Sequence, residues 1–212
     1  MKTKIFPTYS FLPLIGLIAT HATVYMGTKL LNMDMPHRDL SVALDAQIPF
    51  VPEWVFIYVL TFFFWAATIA LVMREDKQNC YELFLCVFVA EFICGVFFIV
   101  MPTTFDRPVI TGDSYAEKLL GVLYGVDTPT NLLPSMHCMM SWMCFRISAH
   151  CKNVKKPYVV FSCVMAVLIC ASTLLVKQHV VRDVIAGVVF GELSMVLGLK
   201  WNFLKKLLEK VR

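Results

Sequence analysis

Six apolar runs separated by short polar stretches dominate the chain. They cover Phe11–Leu31, Trp54–Met73, Leu83–Met101, Leu133–Ile147, Tyr158–Val176 and Val180–Leu199. About 20 consecutive apolar residues cross the hydrocarbon core of a bilayer as a helix. The second and fifth runs contain no charge; the fourth is short and holds His137. The pattern predicts an all-α integral membrane protein with six transmembrane helices, forming a single membrane domain over residues 1–212. The polar stretches predict smaller features. Residues 74–79 read as a tight turn, residues 39–46 as a short helix, and Tyr115–Tyr124 as a helix lying on the membrane surface or packed over its own loop. The basic, partly amphipathic tail Lys200–Arg212 suits anionic headgroups.

Composition excludes an ordinary soluble domain. Hydrophobic residues make up 58% and charged residues 16%, against about 45–50% and about 25% in soluble domains. The net charge of +4 is small, and its distribution says more. With the N-terminus placed in the cytoplasm, 13 of the 19 Lys and Arg fall on the inner side. The positive-inside rule therefore predicts that both termini are cytoplasmic. The first run is long for a signal peptide and lacks a clear cleavage site, so it reads as retained. The eight cysteines avoid the outer segments and show no zinc-ligand spacing. They read as small apolar residues, with no disulfide framework, no metal and no cofactor expected. The expected partner is the bilayer, with no nucleic acid.

Two stretches far apart in sequence carry the chemistry, and the topology brings both to the outer face. His179 and Asp183 are at i and i+4, on one face of a helix. A carboxylate there can accept an imidazole N–H, fix the tautomer and leave the other nitrogen free to attack. By itself this spacing also fits a surface pair. In Pro134-Ser135-Met136-His137, Pro134 suits a first helical turn and Asn131 or Thr130 can cap it. The N–H groups at that end attract anions, and His137 sits where it could protonate a departing oxygen. Arg107, followed by Pro108, is on the same outer face and offers a planar fork for phosphate oxygens.

The order of Arg107-Pro108, then Pro134 to His137, then His179 to Asp183 with Val184-Ile185-Ala186-Gly187 following, resembles the type 2 phosphatidic acid phosphatase superfamily. The resemblance covers about residues 95–200, and the span count matches. It implies a six-helix membrane enzyme that acts on lipid phosphates without a metal. His179 would form a phosphohistidine, Asp183 would orient it, and His137 would protonate the leaving group. Arg107 and Ser135, with backbone N–H groups near Met136, would hold the phosphoryl oxygens. Water or another alcohol would then accept the phosphoryl group.

Two of the family's usual cations are missing. Val100 stands where a lysine is usual, and Thr173 where an arginine is usual. Lys177 and Arg182 are nearby candidates to replace them. Fewer cations suit a less charged phosphodiester, as used by the related sphingomyelin and inositol phosphorylceramide synthases. Hydrolysis of a lipid phosphate or polyprenyl pyrophosphate and transfer of a headgroup therefore both stay open. Glu91 and Glu192 inside the spans are functional-site candidates by default, but a neutral glutamic acid joining two helices fits equally and both are left out of the site; His21 and His150 read as structural. A non-enzymatic transporter or scaffold is the less favoured alternative: a transporter would be expected to carry polar or broken helices at mid-membrane in repeated halves, whereas here the polar cluster lies at the outer face and the two halves show no similarity. Short loops and the lack of organelle signals suggest a bacterial cytoplasmic membrane, with the site facing outward.

Overall fold

The computed structural model describes residues 6–200. Eight α-helices follow one another among them: α1 (Phe11–Asn32), α2 (Ala43–Gln47), α3 (Val55–Glu75), α4 (Lys77–Val100), α5 (Tyr115–Val126), α6 (Met136–His150), α7 (Lys156–Leu175) and α8 (Val181–Lys200). The six long ones coincide with the six apolar runs. Four helical stretches, Thr8–Asn32, Pro52–Glu75, Lys77–Val100 and Lys156–Leu175, are long and apolar enough to cross a membrane. α6 and α8 fall outside that group. α6 has 15 residues, roughly 22 Å of helix. α8 carries Arg182, Asp183 and Glu192.

α6 is the centre of the bundle. It packs along α7 and α8, while α4 packs along α1 and α8, and α3 leans on α4, α6 and α7. Burial from all sides lets a short helix with polar residues sit where hydropathy alone ranks it last. The core between α4, α6 and α8 is built from Cys80, Cys86, Cys94, Met136, Met139 and Met143, among others. Cysteine and methionine thus act here as packing residues. The outer helices turn large side chains outward, such as Leu12, Ile15 and Ile18 on α1 and Phe88 and Phe92 on α4. α8 presents Ile185, Val189, Leu193 and Leu197 outward, an i, i+4 stripe on one face.

Small residues set the closest approach. A Cβ on Gly187 would stand 2.6 Å from the main-chain oxygen of Ser135, and one on Gly191 would stand 3.1 Å from that of Met139. α8 can therefore lie against the start of α6 only with glycine there. Polar groups also join the helices. Arg146 grips Glu192 at 2.6 and 2.9 Å, with Trp142 Nε1 donating to the same carboxylate at 2.9 Å. Glu192 is thus held between α6 and α8, away from the site.

Several boundaries shift. The turn expected over 74–79 shrinks to Asp76, whose carboxylate accepts from the Asn79 N–H at 2.7 Å and starts α4 at Lys77. The short helix of the first loop is α2, and the helix expected over Tyr115–Tyr124 is α5. α5 opens with a Ser114–Glu117 capping box. It buries Ala116 and Leu120 against Val55, Tyr58 and Val176, so it packs over the bundle end. A two-residue parallel ladder of β1 (Arg38–Asp39) with β2 (Thr103–Thr104), unforeseen in the sequence, ties the two long loops together. The basic tail beyond Lys200 lies outside the described residues.

Candidate active site

The α7–α8 turn presents His179. α7 ends at Leu175, and the main-chain N–H groups of Gln178 and His179 both donate to Thr173 O, at 2.9 and 3.1 Å. This closes the helix as in a C-terminal cap. Lys177 takes the left-handed conformation, with φ of 50°, usually left to glycine or asparagine. Its Nζ donates to the carbonyls of Asp45 and Ile48 at 3.0 and 2.7 Å. Asp45 also accepts from the Val181 N–H at 2.8 Å, capping α8. α2 therefore clamps the turn from both sides of His179. Partial burial pushes the Lys177 ammonium down from its ordinary value.

Asp183 stands one turn into α8 and is fully buried. Its Oδ2 lies 3.4 Å from His179 Nδ1 and accepts from the Val180 N–H at 3.0 Å. The carboxylate is thus fixed by backbone while it faces the ring. His179 Nε2 makes no hydrogen bond among the described residues.

The start of α6 is tied to the start of α8 through backbone. The Ser135 N–H donates to Asp183 O at 3.1 Å. That bond, with the Gly187 contact, is what makes two remote stretches into one place. Ser135 is the N-cap of α6, its Oγ accepting from the Cys138 N–H at 3.4 Å. The cap expected at Asn131 is corrected here. Asn131 is buried with φ of 57°, bonded to Asn32 at 2.7 Å and Thr28 at 2.9 Å. It fastens the loop to α1. Pro134 accordingly precedes the cap and does not enter the first turn.

His137 is one residue into α6, in an aromatic box on α3. Its ring centroid lies 4.4 Å from Tyr58, 5.5 Å from Trp65 and 5.9 Å from Phe62. Tyr58 Oη is 3.3 Å from Nδ1, whereas Nε2 is buried without a partner among the described residues. The His137 and His179 ring centroids are 6.0 Å apart. One phosphoryl group between them can touch both.

Arg107 reaches the site from the second loop. Its guanidinium donates to the Asp127 main-chain carbonyl and to Gln178 Oε1, and lies 4.8 Å over the Tyr124 ring. Its Nε is buried without a partner among the described residues, and burial lowers its pKa from the ordinary value. Tyr124 donates to Val176 O at 2.6 Å, and burial pushes its hydroxyl up to about 12.

Two cavities meet at His179. One, about 220 Å³, runs into the bundle between α1 and α3, bordered by Tyr25, Tyr58, Trp65 and His137. The other, about 690 Å³, lies under the loops and is bordered by Arg107, Lys177, Asp45 and Asp39. Arg182 is exposed and borders neither. Lys177 borders the loop cavity, but its ammonium is engaged by α2. The position of the missing arginine holds Thr173, whose Oγ1 donates to Cys170 O at 2.8 Å. Val100 is exposed at the end of α4. Tyr58, Asp127 and Asp45 carry no motif that marks them in the sequence.

A family model described as PAP2 superfamily matches residues 83–206, more than half of the chain and both histidines. No curated protein and no solved structure matches it. With this match, and with His137, His179 and Asp183 drawn to one point, the chain belongs to the PAP2 superfamily.

Proposed function

We propose that this protein is a membrane phosphatase that hydrolyses a lipid phosphate or polyprenyl pyrophosphate through a phosphohistidine on His179. Members of the superfamily are generally phosphatases or phosphotransferases. The observation that carries the reading is the facing pair of rings 6.0 Å apart, one backed by a buried carboxylate. All six long helices cross the membrane, both termini are cytoplasmic, and the site faces outward from a bacterial cytoplasmic membrane. In that arrangement the aromatic cavity opens toward lipid and the loop cavity toward water.

The chemistry follows from the two rings. His179 Nε2 attacks the terminal phosphorus, forming an N–P bond as the P–O bond to the leaving group breaks, the lipid alcohol from a monophosphate or the lipid monophosphate from a pyrophosphate. Asp183 accepts the Nδ1–H and stabilises the charge that develops on the ring. His137, oriented by Tyr58, delivers a proton from Nε2 to the departing oxygen. The anionic substrate supplies the counter-charge that an imidazolium in an aromatic box requires. Arg107 and the first-turn N–H groups of α6 hold the equatorial oxygens. Water then gives its proton to His137 and attacks phosphorus, the N–P bond breaks, and phosphate leaves. Ser135 contributes by holding α6, Asn131 by holding its loop, and Lys177 by holding the turn.

The second reading is headgroup transfer from a phosphodiester lipid to an alcohol. It is favoured by the loss of two cations: Thr173 is committed to its own helix and Val100 carries no charge. A phosphodiester brings about one negative charge where a monoester brings nearly two. Purified protein in detergent with EDTA, given phosphatidate or a polyprenyl pyrophosphate, is expected to release phosphate, and His179→Ala is not. Release from neither, with headgroup exchange on adding a phosphodiester lipid and an alcohol, assigns the transferase.

A further inference from the structure

His21 has no part in the steps above, yet its ring borders the same cavity as His137 and His179. It lies on α1, outside the residues matched by the family. Its Nδ1 is 2.9 Å from Glu91 Oε1 on α4, and Glu91 is 1% exposed. Half of the His21 side chain is exposed, and its Nε2 makes no hydrogen bond among the described residues.

A histidine–glutamate pair can serve only to join helices. The molecule contains such a pair: His150 Nε2 is 3.0 Å from Glu82 Oε2, between α6 and α4, and neither residue borders the two cavities at His179. His21 is different because of where its free nitrogen is offered. A polar group inside a span is costly unless it is partnered. Paired with an ionised Glu91 the ring is an imidazolium and carries N–H on both nitrogens, so Nδ1–H is given to the carboxylate and Nε2–H is held as an oriented donor toward the cavity.

The neighbours of His21 give the direction. Lys29, Tyr25 and His21 follow at four-residue intervals, one face of α1. Lys29 is 3.4 Å from Asp127, and the Tyr25 hydroxyl donates to the same carboxylate. His21 stacks on Tyr25 with centroids 5.9 Å apart and planes 3° apart. Asp127 in turn takes Arg107 through its main chain. A polar wall therefore descends α1 from its Lys29 end, and His21 is its last step, about 6 Å of helix beyond Tyr25. The opposite wall, Tyr58, Phe62 and Trp65 on α3, is aromatic. A molecule in this cavity therefore has the Nε2 of His21 on one side and aromatic rings on the other, with His137 and His179 in the same lining.

We infer that His21, held by Glu91, recognises an acyl carbonyl close to the phosphate of the substrate and makes the enzyme selective for acyl lipids. Glycerolipid esters and sphingolipid amides both carry such a carbonyl within a few bonds of phosphorus; polyprenyl phosphates carry none. The inference rests on the assignment of His179 as the centre that receives the phosphate.

The test uses the full-length protein and pairs of lipids that differ only in the carbonyl. The ratio of kcat/KM for ester-linked phosphatidate over its dialkyl-ether analogue is measured in wild type, His21→Ala, His21→Gln and His150→Gln, with ceramide 1-phosphate as the amide arm. Because the ratio is internal to each preparation, partial unfolding of a variant cancels. Wild type and His150→Gln are expected to prefer the ester, or the amide if that is the source, by roughly tenfold, as for a charge-assisted hydrogen bond. His21→Ala is expected to bring the ester/ether ratio to about one. No carbonyl preference in wild type, or a preference that survives both His21 variants, overturns the inference. Binding of the same lipids to His179→Ala separates the two levels. Carbonyl-selective, His21-dependent binding without turnover in wild type would keep the inference and sink the phosphatase reading.

Discussion

His179 and His137 face each other across 6.0 Å, but the protein treats them differently. His179 sits on a turn clamped by α2, with a buried carboxylate behind Nδ1 and cavities on two sides. His137 sits inside a helix start, with a tyrosine hydroxyl behind Nδ1 and aromatic rings around it. An anionic partner stabilises a ring that gains positive charge as it forms a bond to phosphorus. A neutral partner orients a ring without holding its proton, which suits a group that must give a proton up and take it back. In the proposed mechanism one imidazole type thus takes two roles from its surroundings, much as paired titratable groups take opposite roles when their environments differ.

The sharpest way to break this comparison is to remove each ring in turn. His179→Ala is expected to abolish turnover of every phosphate substrate, a loss of about 10⁴-fold or more, as for removal of other catalytic nucleophiles. His137→Ala is expected to lose about 10²–10⁴-fold on phosphatidate, the usual range for general acid–base catalysis. With p-nitrophenyl phosphate, whose leaving group needs no proton, that loss should shrink greatly in a pre-steady-state burst measurement. Equal losses of His137→Ala on both substrates would show that the two rings do not divide the work as described.

Removing the partners probes the difference more gently. Asp183→Asn keeps the shape while removing the charge, and a loss of about 10²–10⁴-fold in kcat is expected, the upper end matching the known effect of such a swap in a catalytic triad. The Val180 N–H that binds Asp183 would still find an acceptor, so circular dichroism melting should change little. Arg107→Lys is expected to lower kcat/KM by about 10²-fold, since a point charge replaces a fork held by Asp127, Gln178 and Tyr124. Tyr58→Phe should produce the smallest change, under about tenfold in kcat, because it removes one neutral hydrogen bond of net worth ~1 kcal/mol. An effect of Tyr58→Phe as large as that of Asp183→Asn would mean that His137 also depends on its partner for charge.

Much of this was legible in the sequence, for identifiable reasons. Apolar runs locate the long helices because a lipid-facing surface demands them on every turn. The i, i+4 spacing of His179 and Asp183 predicts their contact because helix geometry alone decides it. The cap of α6 was misread because Thr130, Asn131 and Ser135 are all able to cap. The choice of Ser135 is settled by its bond to Asp183 O, a tertiary contact between remote segments. Lys177 and Arg182 were candidates by proximity, but charge does not reveal direction: one is drawn to the α2 carbonyls, the other is exposed. Tyr58, Phe62 and Trp65 share one face of α3 by spacing. They stand in a run crowded with aromatics, Phe56, Phe63 and Phe64 among them, so hydropathy does not say which face turns inward.

The proposed division of labour between the two histidines requires a covalent phosphohistidine at His179, a species that trapping would reveal. Protein mixed briefly with ³²P-labelled phosphatidate and quenched in alkali should retain label that is stable to base, lost in acid and carried by the peptide containing His179. His179→Ala should retain none. Phosphate release by wild type with no such label at any mixing time, or label that persists in His179→Ala, would contradict the account.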